Sequence, residues 1–312
     1  LQPIFDKLSE VKEVARWWFS VPPGNGTVLL TKEISDRLKR RRPDVILIPA
    51  DRIEMVPVAM VAHSLKIPIF HMWAGVGSTG TYDDLYRRII SSYAQILLCE
   101  DKNAKFRLRH SGEESSRILV VGSTHGDSLV VDETLAPLEP FDLVLLNGNP
   151  GNPKDELMTL KASIEQLNAW KLTIWIEPST GYQPGMMDWI RKILPPGNRV
   201  TFMRTLPRPL FLGLMKKCDK FISNSSSTIY EAPLIGAERK VVNLGTRNSE
   251  RVTESTKFPP AAEKVAEFIA PSGLISKAEK GLSLGVQAKT ANILSRLGAE
   301  KTSKIAQFIP QL

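Results

Sequence analysis

Cysteine is nearly absent from this chain of 312 residues: Cys99 and Cys218 are its only 2. They lie far apart and form no CxxC pair. That excludes a disulfide framework and a cysteine zinc cluster, and it fits a reducing cytoplasm. Histidine is almost as scarce. His63, His110 and His125 show no metal-ligand spacing, so no metal is expected. No apolar run reaches the roughly 18 residues of a membrane span. Glycine, at 20 residues without a period, excludes a collagen-like chain. An acidic excess is lacking too: 41 Lys and Arg against 33 Asp and Glu give +8. Such a surplus suits an acidic partner, either nucleic acid or a phosphorylated metabolite. The triplet Arg40-Arg41-Arg42 ends an amphipathic stretch, where cations suit the helix dipole. No RRM, KH or helix-turn-helix signature accompanies it, so neither nucleic acid nor a membrane is expected as a partner. What remains, 42% hydrophobic and 24% charged, is a globular mixture long enough for about two domains.

Short apolar runs alternate with amphipathic stretches along most of the chain. The runs predict strands at Val45–Pro49, Ile67–His71, Ile96–Cys99 and Ile118–Val121. The second half repeats the rhythm at Leu143–Asn147, Leu172–Ile176, Val200–Met203, Lys220–Ser223 and Lys240–Leu244. Helices are expected between them at Leu30–Arg41, Glu54–Leu65, Asp83–Ser92, Pro153–Asn168, Pro209–Lys217 and Thr228–Ile235. These are the proportions of βαβ units, and continuous apolar strands imply parallel sheets covered on both faces. The expected fold class is α/β: two Rossmann-like domains with parallel sheets facing each other across a cleft. Asp132–Pro140, with two prolines and three acids, reads as the linker between domains 1–135 and 136–312. Lys277–Leu312 is Lys-rich and reads as helical.

Ligands of such sheets bind beyond the carboxyl ends of the strands, so the loops there carry the chemistry. Asp51 follows the first of these strands. After the second come Trp73-Ala74-Gly75-Val76-Gly77, then Asp83 and Asp84 opening a helix with Arg87 one turn on. Each acid alone is an ordinary helix cap. Three of them at one cleft suit acid–base chemistry. In the second half, Ile222-Ser223-Asn224-Ser225-Ser226-Ser227-Thr228 feeds hydroxyls into a helix start, an anion-binding arrangement. Glu231 follows, placed to accept from ribose hydroxyls. Arg247 and Arg251, after Gly245, suit a phosphate clamp, and Phe211 suits packing on a base.

Together these segments resemble the UDP-N-acetylglucosamine 2-epimerase family, most closely its hydrolysing branch. The carrying residues are PADRIEM (49–55), IPIFHMWAG (67–75), TYDDLYRRI (81–89), VVGSTHGDSL (120–129), LPRPLFLGLM (206–215), ISNSSSTIYEAPLIG (222–236) and VVNLGTRNSER (241–251). The resemblance implies the GT-B fold, with UDP bound mainly by the second domain. It implies that Ser225, Ser226 and Ser227 hold the diphosphate, Glu231 the ribose, Arg247 and Arg251 phosphate or loop, and the Phe211 region the uracil. Asp51 and Asp83 would be the catalytic acids near the sugar C2, and Arg87 a sugar or phosphate ligand. The implied reaction takes the C2 proton, expels UDP to leave a glycal, and returns a proton to give the epimer, without cofactor or metal. A homodimer, and a role in polysaccharide biosynthesis, are implied as well. The resemblance also places a strand and an Arg-containing phosphate loop ahead of a segment like Leu1–Ile4.

Two positions depart from the family pattern. Val76 stands where the family has a carboxylate, and Asn149 stands near the family's histidine after the first strand of domain two. Valine moves no protons and asparagine does not titrate. Losing a general acid or base costs about 10²–10⁴-fold in rate. A GT-B glycosyltransferase using a UDP-sugar, or a catalytically impaired nucleotide-sugar-binding protein, stands as the alternative.

Overall fold

The computed structural model describes residues 13–19, 26–49, 51–77, 82–127, 129–149, 152–177, 186–249 and 304–310. Two parallel sheets organise them. The first has the order β1-β11-β2-β3-β4-β5, with β1 Glu13–Phe19, β2 Val45–Ile48, β3 Ile69–Met72, β4 Ile96–Cys99, β5 Ile118–Val120 and β11 Lys304–Pro310. The second has the order β10-β9-β6-β7-β8, with β6 Phe141–Leu145, β7 Leu172–Ile176, β8 Val200–Met203, β9 Lys220–Ser223 and β10 Val241–Asn243. The helices between them are α1 Gly26–Arg40, α2 Met55–Ser64, α3 Asp83–Tyr93, α4 Lys102–His110, α5 Pro153–Glu165, α6 Met186–Ile193, α7 Arg208–Lys217 and α8 Glu231–Leu234. The expected α/β class with parallel sheets is what the chain builds.

The reason is burial on both faces. Every residue of β2 and of β3 is buried, as a central parallel strand requires. Ile46, Ile48, Ile69 and Leu97 of the first sheet pack with Leu30, Ile34 and Leu38 of α1 and Val58 and Ala62 of α2. In the second, Leu143 and Phe221 join Leu212, Met215 and Cys218 on one face, while Val144, Trp175 and Ile222 join Leu160 and Ile190 on the other. Every registered pair in both sheets is parallel, so all carboxyl ends of a sheet share one edge.

The chain divides into two compact units, Leu1–Val76, Asp83–Asp127 and Phe258–Leu312 in the first and Gly77–Tyr82 and Ser128–Lys257 in the second. β1–β5, α1–α4 and β11 belong to the first, β6–β10 and α5–α8 to the second. The segment read as a linker is docked rather than free. Asp132 N donates to Pro209 O at 3.0 Å, and Glu133 pairs with Lys216 and Lys217 at 3.0 Å each. Gly213 permits this: a Cβ there would stand 1.8 Å from Asp132 O.

Five elements differ from the sequence expectation, which contained neither β1 nor α6. Residues 304–310, expected as part of a helical tail to the second domain, form β11 inside the first sheet, between β1 and β2. The alternation of KIAQFIP serves a strand once two neighbours supply hydrogen bonds. Thr228–Ile235 is not one helix. Thr228 Oγ1 donates to Ser225 O at 2.8 Å, drawing Ser226–Thr228 into a 3₁₀ turn, and α8 has only 4 residues. Glu231 is therefore the first residue of α8, not one turn inside it. α4 escapes sequence reading because its apolar stripe is only Ala104 and Leu108, yet Asp101 caps it well, accepting from Ala104 N at 2.7 Å.

Candidate functional site

The carboxyl edge of the first sheet gathers charge. Arg87, on the buried face of α3, is 4% exposed. Its Nη2 donates to Asp51, in the loop after β2. Its Nη1 donates to Asp84 Oδ1 at 2.8 Å and to Val76 O at 2.5 Å. One guanidinium thus ties the loops after β2 and β3 to the start of α3. Asp84, rather than Asp83, makes the direct contact. Asp83 is half-buried, and its field acts on Arg52, whose pKa is raised chiefly by the hydrogen bond to Glu54. Burial alone would push the Glu54 carboxyl up, but Arg52 at 2.9 Å more than offsets it and holds it below the ordinary range.

The loop after β3 is bent by two left-handed residues, Trp73 at φ 55° and Gly75 at φ 73°. Gly75 is required twice over, since a Cβ would lie 2.5 Å from Ala104 O on α4. Trp73 has no such excuse, and a bulky residue at positive φ costs about 1–3 kcal/mol. What holds it is a hydrogen bond from its Nε1 to Thr124 Oγ1 at 3.2 Å, beyond β5. Val76, where a family carboxylate was expected, is a buried side chain at 8% exposure. His71 is fully buried, with Nδ1 2.9 Å from Ser91 Oγ, which makes it a tie between β3 and α3.

The carboxyl edge of the second sheet gathers neutral amides and hydroxyls. The Asn224 side chain clasps the backbone of Asn147, accepting from its N at 2.7 Å and donating to its O at 2.9 Å. This joins the loops after β6 and β9. Asn248 Nδ2 donates to Asn224 O at 3.1 Å and Ser225 O at 3.0 Å, fixing the serine run from the β10 side. Ser225 Oγ accepts from Ser227 N at 3.3 Å, so the run caps itself. Ser226 is half-buried, and Ser227 Oγ is buried with no partner among the described residues. Asn149 N donates to Glu156 Oε2 at 2.7 Å and its Nδ2 to Asp155 at 3.0 Å, while Oδ1 has no partner among the described residues. Arg247 Nη1 donates to Gly148 O at 2.7 Å, holding the Asn149 loop. Glu231, 9% exposed, receives Arg208 at 3.4 Å. Phe211 stands edge-on to Phe221 at 5.9 Å and packs on the core of this unit. Arg251 lies outside the described residues.

Comparison with known proteins follows the same lines. Residues 23–270 match the UDP-N-acetylglucosamine 2-epimerase family. The chain belongs to that family. A hydrolysing GDP/UDP-N,N'-diacetylbacillosamine 2-epimerase of Campylobacter jejuni is 26% identical over 70% of this chain and 60% of its own length. A UDP-N-acetylglucosamine 2-epimerase of Neisseria meningitidis is 26% identical over 72% of this chain and 61% of that protein. The chain thus spans less than two thirds of these relatives. The crystal structure of a Neisseria meningitidis UDP-GlcNAc 2-epimerase bound to UDP-GlcNAc superposes with a TM-score of 0.61 at 18% identity, covering 87% of this chain and 81% of that one. These likenesses fix the fold as GT-B, with two Rossmann-like units. Among the described residues no helix is long and apolar enough to cross a membrane, and no group of three or more His, Cys, Asp or Glu is placed to hold a metal ion.

The sequence reading missed one further cluster. Glu100 directly follows β4, and Ser123 and His125 follow β5. Ser123 Oγ lies 2.9 Å from Glu100 Oε1 and 2.8 Å from His125 Nδ1. The available signal was an acid right after an apolar strand and a hydroxyl-histidine turn right after the next.

Proposed function

We propose that this protein acts on a UDP-sugar, inverting C2 with release of UDP, as a UDP-N-acetylglucosamine 2-epimerase of the hydrolysing kind. The observation that carries the proposal is the family match, which runs through both units and takes in both carboxyl-edge clusters. In this reading Ser225, Ser226 and Ser227 hold the diphosphate, with Ser227 Oγ as a ready donor. Glu231 accepts from the ribose, Asn149 presents Oδ1 to the ligand, and the Phe211 region borders the uracil. Arg247 and Arg251 hold phosphate or the loops around it. Asp51 and Asp83 serve the sugar, and Arg87 positions Asp51 or meets a sugar oxygen. As the C2–H bond breaks, its electrons form the C1=C2 bond while the C1–O bond breaks with its electrons on UDP. Water then adds across the double bond of the glycal, a proton to C2 and hydroxide to C1, to close the sequence. The reading extends to a homodimer in the cytoplasm, where two buried reduced cysteines fit.

One observation favours a second reading, nucleotide-sugar binding without turnover: Val76 and Asn149 supply no proton where the family pattern has titratable groups. Incubation with UDP-GlcNAc, followed by ³¹P NMR, separates the two. The proposal expects free UDP to accumulate, and UDP to raise the melting temperature. A raised melting temperature without UDP release supports the binding protein. Neither effect with UDP-GlcNAc or a UDP-diacetylated amino sugar removes both readings.

A further inference from the structure

Glu100, Ser123 and His125 form a chain of hydrogen bonds at the carboxyl edge of the first sheet. Glu100 is 5% exposed and Ser123 is fully buried, whereas the His125 side chain is 25% exposed. The order of the three resembles a nucleophilic triad, but burial excludes that use. The Ser123 hydroxyl is out of reach of any substrate, and it gives its proton to Glu100 at 2.9 Å.

That donation fixes the rest. A carboxylate only accepts, and a serine hydroxyl has one proton. With the proton spent on Glu100, Ser123 Oγ can only accept. It accepts from His125 backbone N at 3.3 Å and lies 2.8 Å from His125 Nδ1. Nδ1 must therefore carry the ring proton, and Nε2 carries the basic lone pair. Glu100 Oε1 lies 3.6 Å from Nδ1. Asp127 closes the same turn, its backbone N donating to Thr124 O at 3.2 Å.

The ring is also held from the side. The Trp73 ring lies tilted beside it, centroids 6.2 Å apart at 34°, and its Nε1 bonds to Thr124 in the same turn. Trp73 bears the positive φ of the β3 loop, and Val76 in that loop takes the hydrogen bond from Arg87. His125 is thus tied through one loop to the Asp51–Arg87–Asp84 cluster. Strain at such a loop, supporting a positioned titratable group, marks a working site.

We propose that His125 is a proton-transfer group of this site, poised at Nε2, with Ser123 and Glu100 as its positioning residues. This rests on the reading of the protein as a UDP-sugar 2-epimerase. In that reaction His125 Nε2 takes the C2 proton while the C1=C2 bond forms and UDP leaves with the C1–O electrons. The chain thereby regains a proton acceptor that Val76 cannot supply.

The experiment is a set of single substitutions in the full chain, read by UDP release and by ¹⁵N NMR of the histidine rings. H125Q is expected to lower kcat by about 10²–10⁴-fold with KM nearly unchanged. S123A is expected to lose about tenfold and to abolish the fixed Nδ1–H tautomer, a change that mere loosening of the fold would not produce. H110Q, on exposed α4, serves as the control and stays at wild-type rate. Wild-type His125 in the Nε2–H tautomer, or H125Q within threefold of wild type, overturns the assignment alone. Wild-type protein that releases no UDP from any UDP-sugar removes the underlying reading, and the assignment falls with it.

Discussion

The two sheets use the same edge for opposite purposes. At the carboxyl edge of the first, the side chains that meet are charged: Asp51, Arg87 and Asp84. At the carboxyl edge of the second, neutral side chains join the strand-end loops: Asn224, Asn248, Ser225 and Ser227, with Asn149 held by Glu156 and Asp155. Breaking a C–H bond demands a positioned group that can take a proton, and carboxylates are such groups. Neutral donors and acceptors, each pinned by a neighbour, recognise a fixed pattern of oxygens without changing state. Under the proposed function, chemistry falls to the first unit and recognition to the second.

The largest effect should come from removing the charge that holds the first edge together. R87M leaves Asp51 and Asp84 half-buried without their shared cation. We expect UDP release to fall more than 10²-fold and stability in urea to drop by about 3 kcal/mol, the lower end for a broken buried pair because both carboxylates retain some solvent. The recognition edge should respond differently. N224A removes two bonds to the Asn147 backbone, one accepted and one donated. A loss of about 2 kcal/mol is expected, with UDP affinity falling about tenfold and kcat on saturating substrate little changed. Equal losses of kcat and affinity in both variants would erase the division.

A smaller effect is expected at Gly245. Its φ is 68°, and a Cβ would lie 2.4 Å from Thr159 Oγ1. G245A should cost about 1–2 kcal/mol and weaken UDP binding a few-fold by shifting the loop that carries Arg247 and Asn248. The smallest effect concerns the thiols, one in each unit. Burial pushes Cys99 and Cys218 up to about 12, so neither carries appreciable thiolate at neutral pH. A disulfide reagent should label neither in the native protein. R87M should speed labelling of Cys99 selectively, and N224A that of Cys218, if the units open separately.

Strands buried on both faces announce themselves as unbroken apolar runs, and the nine runs read from the sequence match β2–β10 within a few residues. Loops after those strands followed at once, and with them Asp51, Arg87 and the serine run. β11 was illegible because its identity as a strand depends on neighbours far away in sequence. The 3₁₀ turn at Ser226–Thr228 was illegible because side-chain bonds to the backbone, not propensity, decide it. The Glu100–Ser123–His125 chain joins residues 23 and 2 apart, and only the pairing of β4 with β5 brings them together. Asp83 and Asp84 were equal in sequence; the Arg87 rotamer separates them.

The most direct test of the central claim follows hydrogen at C2. In D₂O with UDP-GlcNAc, the account predicts that the released sugar carries deuterium at C2, that R87M abolishes its appearance, and that N224A restores it at raised substrate. UDP released with protium retained at C2 would mean that no C–H bond is broken, and would contradict the assignment of proton chemistry to the charged edge of the first unit.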